Sequence, residues 1–113
     1  MREYRSYVVN DEGLIHFYTG LRNLVKIFPG DRVSLQHIDD YIILHRNPES
    51  PDADYHNIKI CDNDESWYGG IEAPEELLKK LGWRRYEILT MHVIDDDAIS
   101  INLDKYRYKY KYE

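Results

Sequence analysis

The sequence predicts a mostly β protein with two short helices, built as two tandem copies of one small unit that share a single core. Three observations predict it. Residues 13–33 lie over residues 69–89 without a gap, at an offset of 56, and the residue classes agree: Ile15 meets Ile71, Leu21 meets Leu77, Val25 meets Leu81, Ile27 meets Trp83, Asp31 meets Glu87 and Val33 meets Leu89. Each copy then ends in alternating apolar stretches hinged on acids, Ile38-Asp39-Asp40 in the first and Ile94-Asp95-Asp96 in the second. Between the copies, Asn47-Pro-Glu-Ser-Pro-Asp-Ala-Asp54 holds two prolines and three acids and has almost nothing to bury.

Taken in order, each copy opens with an extended segment, Tyr7-Val-Val9 or Asn57-Ile-Lys-Ile-Cys61, followed by a glycine, Gly13 or Gly69. A short helix comes next. In the second copy Pro74 suits the first helical position, and Glu75 and Glu76 complement the positive helix start. Leu77, Leu78 and Leu81 form the apolar stripe, which ends at Lys79, Lys80 and Gly82. In the first copy Thr19 serves as cap, Leu21, Leu24 and Val25 supply the stripe, and Phe28-Pro29-Gly30 ends it. A hairpin closes each copy: Arg32 to Ile38 turning at Asp39-Asp40 into Tyr41 to His45, and Glu87 to Ile94 turning at Asp95-Asp96-Asp97 into Ala98 to Leu103. The expected organisation is thus a first unit over 1–46, a linker over 47–54, a second unit over 55–104 and a basic tail over 105–113. Each unit is near the lower limit for a domain without staples, which is why the two are expected to share a core.

Composition narrows the function classes. With 113 residues, 42% hydrophobic and 13% aromatic, the chain can fill one core, and disorder throughout is excluded. No apolar run reaches the length of a spanning helix, and Met1 to Arg5 lacks the apolar stretch of a signal peptide, so a cytoplasmic protein without a membrane partner is expected. Cys61 is the only cysteine, which rules out an internal disulfide and a four-thiolate zinc site. The scarcity of glutamine, Gln36 alone, beside twelve isoleucines and eleven tyrosines hints at a hot environment. The net charge of -6 argues against coating nucleic acid by bulk attraction, but it is unevenly spread. Residues 1–50 carry 6 Lys+Arg against 7 Asp+Glu, residues 51–104 carry 5 against 13, and residues 105–113 carry 4 against 1.

The order of elements resembles the AbrB-type swapped-hairpin family, whose wider group includes MazE-like and VapB-like antitoxins. Its pattern of shared glycine, apolar strand, helix-opening proline, helix-closing glycine and acidic residue before a hairpin is met at Gly69, Ile71, Ala73, Pro74, Leu77, Leu81, Gly82, Trp83, Glu87 and Leu89. The first copy meets it at Gly13, Ile15, Phe17, Leu21, Val25, Ile27, Gly30, Asp31 and Val33. The resemblance covers about residues 5–104. It implies hairpins interleaved into one barrel-like core, so that two units in one chain make a single-chain pseudo-dimer, an arrangement similar to that of MraZ-like proteins. It also implies double-stranded DNA as partner. The first copy departs from the pattern, with Tyr18 for the helix-opening proline and Lys26 for a glycine. The basic positions of DNA-binding members are Leu14 and Gly70 after the shared glycine, and Tyr7 and Asn63 in the preceding strand. Arg22 and Lys79 match one helix arginine each.

The candidate contacts for duplex phosphates are therefore Arg22 and Lys26 on the first helix and Lys79, Lys80, Arg84 and Arg85 at the end of the second. The same placement also serves a helix C-terminus, whose dipole favours cations. Lys105, Arg107, Lys109 and Lys111 alternate with tyrosines in the tail. Two readings stand for it: a strand added to a sheet edge with tyrosines inward, or a cationic arm whose tyrosines stack on bases. The acids Asp62, Asp64, Glu65, Glu72, Glu75, Glu76 and Asp95 to Asp97 repel phosphates and offer an alternative function, a protein-interaction module of antitoxin-like or inhibitor type. The five histidines (His16, His37, His45, His56, His92) form no close ligand or nucleophile-base spacing, and Cys61 reads as a buried small apolar residue. A non-enzymatic DNA-binding protein without cofactor or metal, acting as a transcriptional regulator in monomeric pseudo-dimer or homodimer form, is the expected function.

Overall fold

A computed structural model of the chain describes residues 3–7, 14–16, 25–62, 69–83 and 87–103. They form strands β1 (Glu3–Tyr7), β2 (Leu14–His16), β3 (Arg32–Ile38), β4 (Tyr41–His45), β5 (Tyr55–Asp62) and β6 (Gly69–Glu72), helix α1 (Glu75–Leu81), and strands β7 (Ile88–Asp95) and β8 (Ala98–Leu103). The protein is mostly β with one short helix among the described residues. Of the expected first helix, Val25 is helical and the positions 17–24 lie outside the described residues. None of the described helical residues forms a segment long and apolar enough to cross a membrane.

All strands pair antiparallel in one curled, half-barrel sheet of order β1-β7-β8-β4-β3-β5-β6-β2. Both hairpins form where alternation places them, β3 with β4 around Asp39-Asp40 and β7 with β8 around Asp96-Asp97. The first strand of each copy pairs with the hairpin of the other: β1 runs beside β7 and β5 beside β3. Exchanging β1 with β5, β2 with β6, β3 with β7 and β4 with β8 returns the same neighbours, provided β1 and β2 count as adjacent, and these two edges do approach each other. At one crossing the equivalent residues Ile15 and Ile71 stand directly opposite.

Burial follows the repeat. Val33, Ser34 and Leu35 are buried in β3, as are Leu89, Thr90 and Met91 in β7, at the offset of 56 read from the sequence. Farther on, Ile42 and Leu44 correspond to Ile99 and Ile101, an offset of 57. The extra residue is absorbed by a register shift between Val93 and Asp95, a bulge that lengthens the second hairpin. These residues close one core together with Ile15, Ile27, Ile60, Ile71, Leu77 and Trp83. Fully burying each large aliphatic side chain stabilises the fold by about 1.5–3 kcal/mol, and β-branched isoleucine and valine suit the pleated faces that most of them occupy.

The proline-rich stretch between the copies, 47–54, is an ordered loop. Ser34 Oγ donates to Asn47 O at 2.6 Å, Asp54 N to Leu35 O at 2.9 Å and His37 N to the Asp54 carboxylate at 2.7 Å, so the loop is laced onto β3. His56 Nε2 lies 2.8 Å from Ser50 O, and Asn57 N donates to Pro48 O at 3.1 Å, which fixes the entry to β5. The local composition, poor in apolar residues, concealed these backbone partners.

Candidate nucleic-acid interface

Helix α1 carries the two cations of the expected interface that sit on a described helix. Pro74 occupies the N-cap position, one residue before the first helical position expected for it, with φ −55 and ψ 135 and no side-chain cap. Leu77 anchors the helix in the core, with Leu78 and Leu81 half-buried beside it. Gly82 ends it in the left-handed region at φ 73, and its N–H donates to Leu78 O and Lys79 O. Trp83 N adds a bond to Leu78 O at 3.2 Å and buries its ring.

This geometry leaves Lys79 and Lys80 exposed on the outer side, each one turn after a glutamate. Lys79 Nζ is 3.2 Å from Glu75 and Lys80 Nζ is 3.0 Å from Glu76. Hydrogen bonding and charge from Glu76, with lesser help from Tyr55, push the Lys80 ammonium above its ordinary range. A raised lysine value means that Lys80 keeps its positive charge through neutral and mildly alkaline pH and gives it up only as the pH rises past the ordinary lysine value of about 10.5. Exposed pairs of this kind contribute little to stability, but they bring the local charge of Glu75, Glu76, Lys79 and Lys80 to zero.

Lys26 falls at the end of the first copy's helical turn, at φ 56, and is exposed. Its equivalent by the offset of 56 is Gly82, so both copies end this segment with a left-handed residue, in one case without the glycine that adopts it freely. Lys26→Gly should therefore raise stability by about 1 kcal/mol in urea unfolding. An unchanged midpoint would contradict the left-handed assignment. Arg22, Arg84, Arg85, Lys105, Arg107, Lys109 and Lys111 lie outside the described residues, so α1 and Lys26 are the parts of the expected interface that the structure places.

The basic position expected after the shared glycine is Gly70, and β6 leaves no room there for a side chain. A Cβ on Gly70 would stand 2.5 Å from Ile15 O of the paired strand β2. The close approach of β2 and β6 thus excludes a lysine or arginine at this point of the second copy.

Three histidines are tied into turns and strand pairs. His37 Nε2 is 2.9 Å from Asp39 O, His45 Nε2 is 2.8 Å from Gln36 Oε1, and His56 contacts Ser50 O as above. Among the described residues no group of three His, Cys, Asp or Glu side chains is placed to hold a metal ion. Cys61 corrects an expectation: it is half-buried, because alternation in β5 turns Ile60 into the core and Cys61 away from it. Partial burial and the nearby Glu72 raise its thiol pKa, against a smaller opposing effect of Lys59. Its thiolate is therefore scarce at neutral pH, and iodoacetamide should alkylate Cys61 more slowly at pH 7 than it does a free cysteine peptide, with the rate climbing above pH 9. Equal rates at pH 7 would show an unshielded thiol.

Sequence reasoning missed a further pair of cations, Arg32 on β3 and Lys59 on β5, which are direct cross-strand neighbours. Each occupies an outward position of an alternating strand, a visible signal, but nothing local in the sequence says that these two strands, from different copies, lie side by side. Comparison of the chain with family models, with curated proteins and with solved structures finds no match.

Proposed function

We propose that the chain is a non-enzymatic DNA-binding protein, a transcriptional regulator of the tandem swapped-hairpin kind related in design to AbrB-like proteins. The observation that carries the reading is the sheet order, whose neighbours are preserved when the two copies are exchanged once the approach of edges β1 and β2 is counted. In this reading the interleaved copies present equivalent elements as a two-fold pair, the symmetry a duplex backbone offers. The left-handed ends at Lys26 and Gly82 and the opposed Ile15 and Ile71 support the same reading. Arg22, Lys26, Lys79, Lys80, Arg84 and Arg85 anchor phosphates in this proposal, with Lys105, Arg107, Lys109 and Lys111 of the tail as helpers.

A duplex titration across salt concentrations tests it. Replacing Arg22 and Lys79 with glutamine should weaken binding about tenfold and lower the salt slope by about 2, close to 0.9 per lost phosphate contact. Unchanged binding and slope would remove these residues from the interface. The ion pairs on α1 add a sharper expectation. Glu75→Gln with Glu76→Gln frees both lysines and removes two negative charges, so duplex affinity at low salt should rise severalfold; unchanged affinity would place α1 away from DNA.

A second reading is favoured by one specific observation. Among the side chains described, thirteen are carboxylates and six are cations, and α1 has its own lysines neutralised. This surface suits a basic protein partner, as an antitoxin-like or inhibitor module would. Absence of duplex binding at low salt, with retention of a partner from the native host that Glu72→Gln and Glu76→Gln release, would favour it over DNA.

A further inference from the structure

Arg46, Lys79 and Lys80 each hold a carboxylate, at 2.7, 3.2 and 3.0 Å. That is the expected behaviour of cations on an acidic surface. Arg32 and Lys59 behave otherwise. They are exposed, directly opposite in the β3–β5 register, and within the described residues neither is paired with a carboxylate. Like charges facing each other across two strands repel and weaken the pairing, so this position carries a cost that an anion would relieve.

The surroundings hold the pair open. Arg32 Nη1 donates to Asn57 O at 3.0 Å, and Asn57 sits at φ 56 in the bulge where β5 shifts register against β3. Asparagine tolerates that conformation, so the bulge fixes one side of the guanidinium. Of the carboxylates nearby, Asp31 accepts from Phe28 N at 3.1 Å, Glu49 accepts from Asn57 Nδ2 at 2.6 Å, and Glu72, which follows opposite Lys59 when the β5–β6 register is continued, makes no ion pair with it. A planar guanidinium anchored at one edge beside an ammonium is a suitable pair of donors for phosphate oxygens.

We propose that Arg32 and Lys59 form a phosphate clamp that holds a backbone phosphate of duplex DNA. The clamp joins the two copies, since β3 belongs to the first and β5 to the second. It rests on the nucleic-acid reading above for its partner, but not for its anion chemistry.

Two measurements on the full chain separate the possibilities: a duplex titration over a range of salt, and amide chemical shifts of β3 and β5 during titration with inorganic phosphate. For the clamp on DNA, Arg32→Gln with Lys59→Gln should lower duplex affinity at least tenfold and the salt slope by about 2, while Arg32→Lys with Lys59→Arg retains most of the affinity. Lys59→Gln alone, which disturbs no hydrogen bond, should lower the slope by about 1 and covers the case in which the double variant fails to fold. Duplex binding unchanged by these substitutions overturns the clamp and leaves the DNA reading standing. If the wild type binds no duplex at low salt, the DNA reading fails, and with it the duplex as occupant. Phosphate-dependent shifts at positions 32 and 59 that Lys59→Gln removes would then preserve the anion site alone. No shifts and no duplex binding overturn both.

Discussion

Separated halves of the chain, residues 1–50 and 51–113, should each be unfolded as monomers and should recover a cooperative β fold when mixed. The reason is the interleaving. Among the described strands β1 of the first half pairs with β7 alone, and the second half's β5 pairs with β3 and, within its own copy, with β6. Hairpin β3–β4 and hairpin β7–β8 meet along β4 and β8, where Ile42 faces Ile101 and Leu44 faces Ile99, all fully buried. Removing either half uncovers this seam: the first half keeps the β3–β4 pair and the second keeps β7–β8 and β5–β6, two-stranded units that are at best marginal in water. Burial of these four side chains alone is worth roughly 6–12 kcal/mol, comparable to the whole stability of an ordinary domain. Circular dichroism and denaturant titration of each half, and of the equimolar mixture, provide the measurement. A half that unfolds cooperatively as a monomer, with a midpoint independent of concentration, would sink the shared-core account. A concentration-dependent midpoint would instead mean that a half pairs with its own copy in place of the missing one.

Gly70→Ala should cost roughly 2–4 kcal/mol, a large effect for the addition of one methyl group. The built Cβ would lie 2.5 Å from Ile15 O, 3.2 Å from Ile15 C and 3.3 Å from Leu14 Cδ1. The nearest obstacle is backbone, which cannot rotate aside as a side chain can, so β2 and β6 must separate. Their pairing covers Leu14 with Glu72, Ile15 with Ile71 and His16 with Gly70, and Ile15 and Ile71 are both fully buried there. Losing this contact exposes core residues of both copies. The midpoint of urea unfolding measures the effect, and a midpoint near that of the wild type would mean that the two strands are not as close as described. Gly70→Lys should destabilise at least as much, and its duplex affinity has meaning only below its unfolding transition.

Much of the local structure is legible in the residues. Alternation of Ile99 and Ile101 with Ser100 and Asn102 marks β8, the acids at 39–40 and 95–97 mark the turns, and Glu75, Glu76, Leu77 and Gly82 mark α1. The offset of 56 anticipates which residues of β3 and β7 are buried together. Boundaries were less legible where the deciding force is not local. β1 runs over Glu3–Tyr7 rather than starting at Tyr7, because its extent is set by its partner β7. The loop over 47–54 looks unstructured by composition but is held by hydrogen bonds from β3. Its order comes from Ser34 and His37, which lie more than ten residues away along the chain.

The candidate site divides in the same way. Sequence alone determined that the chain is β-rich, internally repeated, acidic in its second copy and equipped with cations at the end of α1. Those properties follow from periodicity, capping and charge, which act over a few residues. Only the tertiary structure decided that Lys79 and Lys80 face glutamates closely enough to be neutralised, that Gly70 has no space for a basic side chain, and that Arg32 stands beside Lys59. Each of these depends on which backbone lies next to which, or on the rotamers chosen on an exposed helix face. Strand pairing between distant segments is fixed by the best joint burial of both copies, and no stretch of sequence carries that information by itself.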